Sequence, residues 1–188
     1  MTAGRKSISS NKDWCTPVVY VEAIKRFWGG RIGLDPCSNR YSVVGAEKEF
    51  ILPEKDGLVE PWNSKTIYVN PPYGNDVLRK TKIKDWLRKC ADAGRHGKSE
   101  VIALVPVATN TAHWKEHVFG EAAAVCFLKD TRLRFLENGA DTGKGAPMAC
   151  CLVYWGRRYK VFFDNFIEYG AVVDLRPLRR KDEVKSEG

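Results

Sequence analysis

The chain has 188 residues, enough for one domain with a buried core and for little more. Its hydrophobic content of 44%, with 29% charged residues, is typical of a soluble globular protein. The formal net charge is +8. Because the sequence contains no apolar run long enough to cross a bilayer and no apolar N-terminal signal segment, we expect a cytoplasmic protein with no membrane partner.

The positive charge is concentrated in the middle of the chain. Positions 61–98 contain nine basic and three acidic residues, whereas the preceding part contains nine and eight and the following part thirteen and twelve. This excess suits a polyanionic partner. A solvated, lysine-rich helix face explains the charge equally well, so both interpretations stay open at this point.

The cysteines and histidines do not predict a metal site. None of the six cysteines forms a C-x-x-C pair, so they are expected to be reduced, mostly buried thiols. His113 and His117 are four residues apart on a predicted short helix, but no third ligand has a recognisable spacing. We therefore expect no bound metal.

The N-terminal part predicts a flexible segment at 1–13 and then a helix. Thr16 is a candidate N-cap and Pro17 the first helical residue. Apolar residues then recur at helical spacing, and Gly29 and Gly30 end the helix.

A short strand is predicted next, at 32–34, followed by a tight turn at Asp35-Pro36-Cys37-Ser38. The sequence from 42 to 62 is irregular and acidic. Asp56 lies in this irregular part, directly before Gly57-Leu58.

Residues 67–74, IYVNPPYG, form the most distinctive stretch. A strand of apolar residues stops at Asn70, and Pro71 and Pro72 then hold the backbone extended and stiff. A Pro-Pro pair after a strand is often only a rigid strand exit. However, Asn-Pro-Pro-Tyr resembles the signature of the amino-group methyltransferases.

The chemistry of amine methylation accounts for these residue types. The exocyclic amine of adenine is conjugated with its ring and is a poor nucleophile. Two acceptors aimed at its protons, the Asn70 side-chain oxygen and the Pro71 carbonyl, would favour a tetrahedral and more nucleophilic nitrogen, and no strong base is needed. Tyr73 would stack on a base rotated out of the duplex.

After the motif, an amphipathic helix is predicted at about 75–93, followed by a buried strand at 101–106. Strand, helix and strand predict a right-handed crossover between parallel strands. Further strands are predicted at 123–128, 148–155 and 171–175. The glycine-rich segment 137–147 is the best candidate for a mobile loop.

The motifs together resemble the small phage-type Dam family of DNA N6-adenine methyltransferases over residues 14 to about 175. They are W-x-T-P, L-D-P-C, D-G-L, V-N-P-P-Y-G, L-V-P with Thr-x-Thr and Trp, and an Arg-x-Arg-Phe segment. The resemblance implies an α/β fold, a Rossmann-like S-adenosylmethionine-dependent methyltransferase with a mostly parallel central sheet flanked by helices. The single domain would span 14–175, before a charged tail at 176–188. A bacterial host cell and a phage or prophage gene are implied as well.

The resemblance also implies a set of site residues. Catalysis is expected at Asn70, Pro71, Pro72 and Tyr73. S-adenosyl-L-methionine would be bound by Trp14, Thr16, Pro17, Asp35, Pro36, Cys37 and Asp56. Glu47 is an alternative carboxylate for the cofactor ribose. The glycine-rich continuation usual after the first cofactor motif is absent, since Asn39-Arg40-Tyr41-Ser42 stands there.

Double-stranded DNA is the expected partner, and no separate recognition domain can be found. Lys80 and Lys82 are candidates for phosphate contacts, and Arg132 and Arg134, with the 137–147 loop, for sequence recognition. Two alternatives remain open: a methyltransferase that acts on RNA amines or protein glutamine, and a non-catalytic DNA-binding protein with this fold. Neither the recognition sequence nor the oligomeric state follows from the sequence.

Overall fold

The computed structural model describes residues 14–95, 98–129, 133–143, 145–146 and 148–179. Within these ranges the strands, numbered β1 to β10 in chain order, are Trp14–Cys15, Leu34–Ser38, Lys48–Ile51, Thr66–Val69, Glu100–Pro106, Ala124–Leu128, Leu136–Glu137, Ala140–Asp141, Cys150–Trp155 and Gly170–Asp174. The helices α1, α2 and α3 are Val18–Phe27, Ile83–Gly94 and Tyr159–Phe166. A π-helical turn spans Trp114–Phe119, and a 3₁₀ turn spans Arg176–Leu178.

Seven strands form the central sheet, in the order β10-β6-β9-β5-β4-β2-β3. Three neighbouring pairs, β3–β2, β2–β4 and β4–β5, are parallel, and the other three are antiparallel. The mixed α/β class is thus confirmed, but the prediction of a mostly parallel sheet was wrong. A strand that is buried on both faces reads as the same continuous apolar run in either direction, so the sequence did not reveal that β9 runs against β5 and β6.

The helices cover both faces of the sheet, and the side chains of β5 show how. Ile102 and Leu104 belong to one core cluster with α1 and α3, whereas Val101, Ala103 and Val105 belong to a second cluster with α2 and the π-helical turn. All five are fully buried. Because neighbouring residues of a strand point to opposite faces, a strand between two helical layers must be apolar throughout.

Helix α1 forms as its pattern predicts. Its buried residues lie on one face, and the helix is followed by Gly29 and Gly30, whose φ angles are +76° and +104°. Glycine adopts this left-handed conformation without steric cost, which explains the stop.

Helix α2 is shorter than predicted and begins at Ile83 instead of near residue 75. Asp85 accepts a hydrogen bond from the Lys82 backbone at 2.9 Å and so closes the first turn. The preceding residues 75–82 are not helical, because Asp76 and Thr81 pair with each other across a tight loop. The predicted parallel arrangement of the strands before and after this helix is confirmed.

Two other segments differ from the sequence-based expectation. Residues 42–62, predicted as irregular, contain β3, and part of the predicted mobile loop forms the β7–β8 hairpin. The hairpin turns at Asn138 and Gly139, both with positive φ, and β7 also pairs with β1 to make a second, three-stranded sheet. At the C-terminus, Arg179 donates to the carbonyls of Ala122 and Gly156, so the start of the charged tail is docked on the domain.

In the part of the chain that the structure describes, every helix is too short or too polar to span a bilayer. The expectation about the cysteines is also confirmed. All six are free thiols, and five of them are buried, the exception being the half-buried Cys37.

Candidate active site

The predicted motifs meet at one edge of the central sheet. Strands β2, β4 and β5 are parallel, so their carboxyl ends lie together at this edge, which we call the carboxyl edge. Asn70 directly follows β4 here, and Asp35 lies within β2. Open α/β sheets bind ligands at this edge, because strand ends and loops leave a crevice there.

The Asn70 amide is oriented by the N-terminal segment. Its Nδ2 donates a hydrogen bond of 3.2 Å to the backbone carbonyl of Trp14. Trp14 is held in turn by its pairing with Glu137 and by its ring, which stacks on Phe135 at a centroid distance of 5.2 Å. Within the described ranges nothing donates a hydrogen bond to the Asn70 Oδ1 atom, so this oxygen is available as an acceptor.

The other residues of the motif are held in different ways. Pro71 is buried and Pro72 is exposed. The Tyr73 hydroxyl donates to the carbonyl of Leu104 at 3.2 Å, and its ring meets Phe135 edge-on at 5.8 Å. Burial raises the pKa of Tyr73 well above its ordinary value, so the phenol stays neutral and cannot act as a base near neutral pH.

Thr16 does not cap helix α1, contrary to the sequence-based prediction. Pro17 is the residue before the helix, and no side chain caps this end. The Thr16 hydroxyl is buried and forms a hydrogen bond of 2.6 Å with the Tyr68 hydroxyl on β4. This bond fixes the N-terminal segment beside the strand that leads into Asn70.

Asp35 lies within β2, where a turn was predicted, because pairing with β3 extends the strand through Ser38. Its Oδ1 accepts the Cys37 N–H at 3.0 Å, and its partner across the strands is Glu49. Burial is the main cause that raises the pKa of Asp35 to about 7; the Cys37 bond opposes the shift and Glu49 adds to it. Pro36 is buried beside this carboxylate.

Among the residues that the structure describes, two polar atoms of β2 and β3 are buried without a hydrogen-bond partner. They are Oε1 of Glu49, the residue opposite Asp35, and Oγ of Ser38, three residues after Asp35 on β2. Buried polar groups are nearly always satisfied, so this pair indicates a place for a polar ligand. Burial also raises the pKa of the Cys37 thiol well above its ordinary value, so this thiol stays neutral near neutral pH.

Asp56 lies close to this carboxylate site but is ion-paired. Both of its oxygens bind the Arg79 guanidinium, with the Nε to Oδ2 distance at 3.1 Å. The adjoining Gly57 sits directly against Pro36, since a Cβ added at Gly57 would lie 1.7 Å from the Pro36 carbonyl oxygen. The Asp56 segment is therefore tightly packed on β2.

Sequence reasoning missed three residues of this region: Glu49, Ser38 and Arg79. No alternation marks Glu49, because Lys48–Ile51 consists of two polar residues followed by two apolar ones. No sequence signal pairs Arg79 with Asp56, because they are 23 positions apart. Glu47, the alternative carboxylate, instead pairs with Arg31 at 3.6 Å on the exposed surface.

The candidate DNA contacts are exposed where they are described. Lys80 and Lys82 lie in the loop between β4 and α2, and their side chains face solvent. Arg134 borders an open cleft of about 730 Å³ between the start of α1 and the β7–β8 hairpin. Arg132 lies outside the described residues, and its role stays a prediction.

The structure gives no support for a metal centre. Among the residues it describes, no three histidine, cysteine or acidic side chains come close enough to hold an ion. His113 instead forms a hydrogen bond with Thr111 at 3.2 Å.

The fold and the site together define a mixed α/β protein with an Asn-Pro-Pro-Tyr motif at the carboxyl edge of its sheet and a buried carboxylate, Asp35, on the neighbouring strand. The chain belongs to the DNA N-6-adenine-methyltransferase (Dam) family, whose model matches residues 5–184. Its activity is methylation of adenine in DNA. A relative is the DNA N-6-adenine-methyltransferase of Haemophilus phage HP1 (strain HP1c1), 26% identical over 136 residues, which cover 72% of each chain. No solved structure matches the chain significantly.

Proposed function

We propose that the protein transfers a methyl group from S-adenosyl-L-methionine to N6 of adenine in double-stranded DNA, with Asn70 to Tyr73 as the catalytic residues. The observation that carries this proposal is the orientation of the Asn70 amide. Because the Trp14 carbonyl accepts from Nδ2, Oδ1 is the atom left for the substrate amine. The proposal thus assigns Trp14 a positioning role through its backbone.

The residues beside Asp35 fit this cofactor. The Asp35 carboxylate would accept from the ammonium of the methionine moiety, and the unsatisfied Glu49 and Ser38 oxygens would bind its hydroxyl or ammonium donors. Pro36, Cys37 and Pro17 would line the same site. Asp56 would accept a hydrogen bond from the adenine amine of the cofactor, with a carboxylate that also binds Arg79. When bound, the cofactor supplies an electrophilic methyl group on a sulfonium.

In the proposed reaction, Asn70 and Pro71 act on the adenine amine through hydrogen bonds. The Asn70 Oδ1 and the Pro71 carbonyl each accept one proton of the amine, which localises its lone pair toward the methyl group. The sulfonium of the cofactor would supply the methyl group and keep the S–C electron pair, and the methylated nitrogen, then cationic and acidic, would lose one proton to solvent. Since Tyr73 stays neutral, its contribution is contact with the base and not proton transfer.

The target base has to leave the duplex to reach this edge. A flipped adenine would meet the half-buried ring of Tyr73, which the Leu104 carbonyl and Phe135 hold in place. Lys80 and Lys82 would bind phosphates, and Arg134 would contact DNA at the mouth of the cleft beside α1. These DNA contacts, a cytoplasmic location and the Rossmann-like character of the sheet are parts of the proposal.

The experiment is transfer of labelled methyl from S-adenosylmethionine to unmethylated duplex DNA, with identification of the modified base. Asn70→Ala should lower the rate by about 10²- to 10³-fold, as expected for loss of one oriented group at the reacting atoms, with cofactor affinity nearly unchanged. The matched control is Asn63→Ala, because Asn63 is exposed in the turn before β4, and this variant should equal wild type.

The other outcomes separate the alternatives. Cofactor binding without transfer to DNA would point to RNA or protein glutamine as the substrate. Absence of cofactor binding would leave a non-catalytic DNA-binding protein. Full activity of Asn70→Ala would refute the assigned site even if DNA were methylated.

A further inference from the structure

A tight loop with an apolar tip follows the catalytic motif. Asp76 and Thr81 exchange two backbone hydrogen bonds, of 2.9 and 3.1 Å, and so close the 76–81 loop. Val77 and Leu78 lie at its tip with exposed fractions of 81% and 89%. Among the large apolar side chains that the structure describes, Leu78 is the most exposed, so it contributes nothing to the core of the folded chain.

The loop is held rigidly from one side. The Arg79 backbone N–H donates to Asp76 Oδ1 at 3.1 Å, and its guanidinium binds the carboxylate of Asp56. Lys80 has a φ angle of +53°, a left-handed conformation that only a tightly determined turn retains. The backbone that carries the two apolar side chains is therefore held in a defined conformation before any partner binds.

The surroundings of the tip indicate what covers it. Lys80, Lys82 and Lys84 are all exposed next to it, in the part of the chain with the largest excess of positive charge. A basic surface with an apolar tip at its centre complements duplex DNA, which has anionic phosphates outside and an apolar base stack inside. Leu78 is six residues beyond Pro72, so the tip lies within about 20 Å of the catalytic motif.

We propose that Val77 and Leu78 form a wedge that enters the base stack at the target adenine and fills the gap that this base leaves when it rotates toward Asn70. This inference rests on the proposed function and adds positioning residues to it. An apolar wedge keeps water out of the gap and so offsets part of the unstacking cost. The ion pair of Arg79 with Asp56 links the wedge to the segment packed on β2, which fixes the distance between wedge and site.

The test compares methyl transfer to two duplexes that carry the sequence methylated by the wild-type protein. In one, the target adenine is paired with thymine; in the other, it stands opposite an abasic site and is already unpaired, so that it leaves the duplex at a lower cost. Leu78→Ser should lower kcat/KM about tenfold or more on the paired duplex and less than about twofold on the abasic duplex, since base flipping limits only the first. The matched control, Leu178→Ser, changes a leucine that is 58% exposed in the 3₁₀ turn, and it should equal wild type on both duplexes.

Three results would overturn the wedge. One is an unchanged rate of Leu78→Ser on the paired duplex, and another is an equal loss on both duplexes. The third is a sedimentation result in which wild type is a dimer and Leu78→Ser is a monomer. The partner that covers Val77 and Leu78 would then be a second copy of the chain. If the wild-type protein methylates no DNA, the proposed function itself fails. If wild type is active and any of these three results is found, only the wedge is rejected.

Discussion

Asp35 is a buried carboxyl group with a strongly raised pKa. It is buried, faces Glu49 across two strands and receives only one backbone N–H, so its pKa rises to about 7. Near neutral pH the group is therefore poised between its two forms. In the proposed site, the ammonium of the cofactor would favour the ionised form, so that binding would release a proton from Asp35.

The raised pKa of Asp35 predicts that the free energy of unfolding depends on pH in an unusual way. Between about pH 4 and the folded pKa of about 7, the folded protein keeps a proton on Asp35 that the unfolded chain has lost. The free energy of unfolding from this group thus falls as pH rises, by about 1.4 kcal/mol per pH unit. Asp35→Asn removes the effect, so its stability relative to wild type should increase from pH 5 to pH 8 in denaturant titrations.

The comparison of the two proteins isolates this group. Burial lowers the pKa of His113 and of His117, so these groups also affect the pH dependence of stability. Their contribution is the same in wild type and in Asp35→Asn. A stability difference between wild type and Asp35→Asn that stays constant over this range would contradict the assignment of a raised pKa to Asp35.

At the scale of elements, the site depends on how the Asp56 segment sits on β2. Gly57 touches the Pro36 carbonyl, while its own carbonyl accepts from the Trp62 indole N–H at 2.8 Å. The segment is therefore fixed from two sides and has no room for a side chain. This contact sets the distance between Asp56 and Asp35.

Gly57→Ala should accordingly loosen both the fold and the site. The added methyl group has to push the segment away from β2, which is expected to cost about 2 kcal/mol and to lower Tm by about 4–8 °C. Cofactor affinity, measured by calorimetry, should fall as well. Gly74→Ala is the control, because an added Cβ there meets no atom within 4 Å, and its Tm should stay within about 1 °C of wild type. An unaltered Tm of Gly57→Ala would show that the segment is not tightly seated.

At the scale of the whole molecule, the edge of the sheet opposite the site is tied together by one carboxylate. Glu100 begins β5 and accepts from Trp28 at 3.2 Å, from Tyr154 at 2.5 Å and from Arg158. These partners belong to the end of α1, to β9 and to the segment before α3. Burial acts to raise the pKa of Glu100, but the hydrogen bonds from Arg158, Tyr154 and Trp28 and the positive charge of Arg158 together outweigh it, so the pKa is lowered.

Glu100→Gln should therefore destabilise the fold without altering catalysis. Loss of charged hydrogen bonds is expected to lower the free energy of unfolding by about 1.5–3 kcal/mol at pH 7. Because the folded pKa is depressed, the advantage of wild type is present above pH 4.5 and disappears as pH falls through the folded value. Methyl transfer per folded molecule should be unchanged, and a loss of kcat at a temperature where the variant is fully folded would contradict this separation of the two edges.

The sequence predicts some of these features and cannot predict others, for physical reasons. Local signals succeed: the two glycines after α1 and the apolar run of β5 require no knowledge of distant residues. The sequence does not predict the direction of β9 or the partners within the site. Trp14 meets Asn70, and Arg79 meets Asp56, only because the folded sheet brings them together. Thr16 shows how a distant partner can override a local signal. Its hydroxyl forms a hydrogen bond with Tyr68 on β4 instead of capping its own helix.

The link from Asn70 to Trp14 and on to Glu137 has a consequence for synthesis of the chain. The Asn-Pro-Pro-Tyr motif leaves the ribosome early, but β1 acquires its partner only when β7, more than 60 residues after the motif, has emerged. Until then the Trp14 carbonyl lacks the strand pairing that helps to hold it against the Asn70 amide, so a nascent chain would contain the complete motif with a less firmly oriented acceptor. Competence for transfer is then gained late in translation, when most of the protein has already been made.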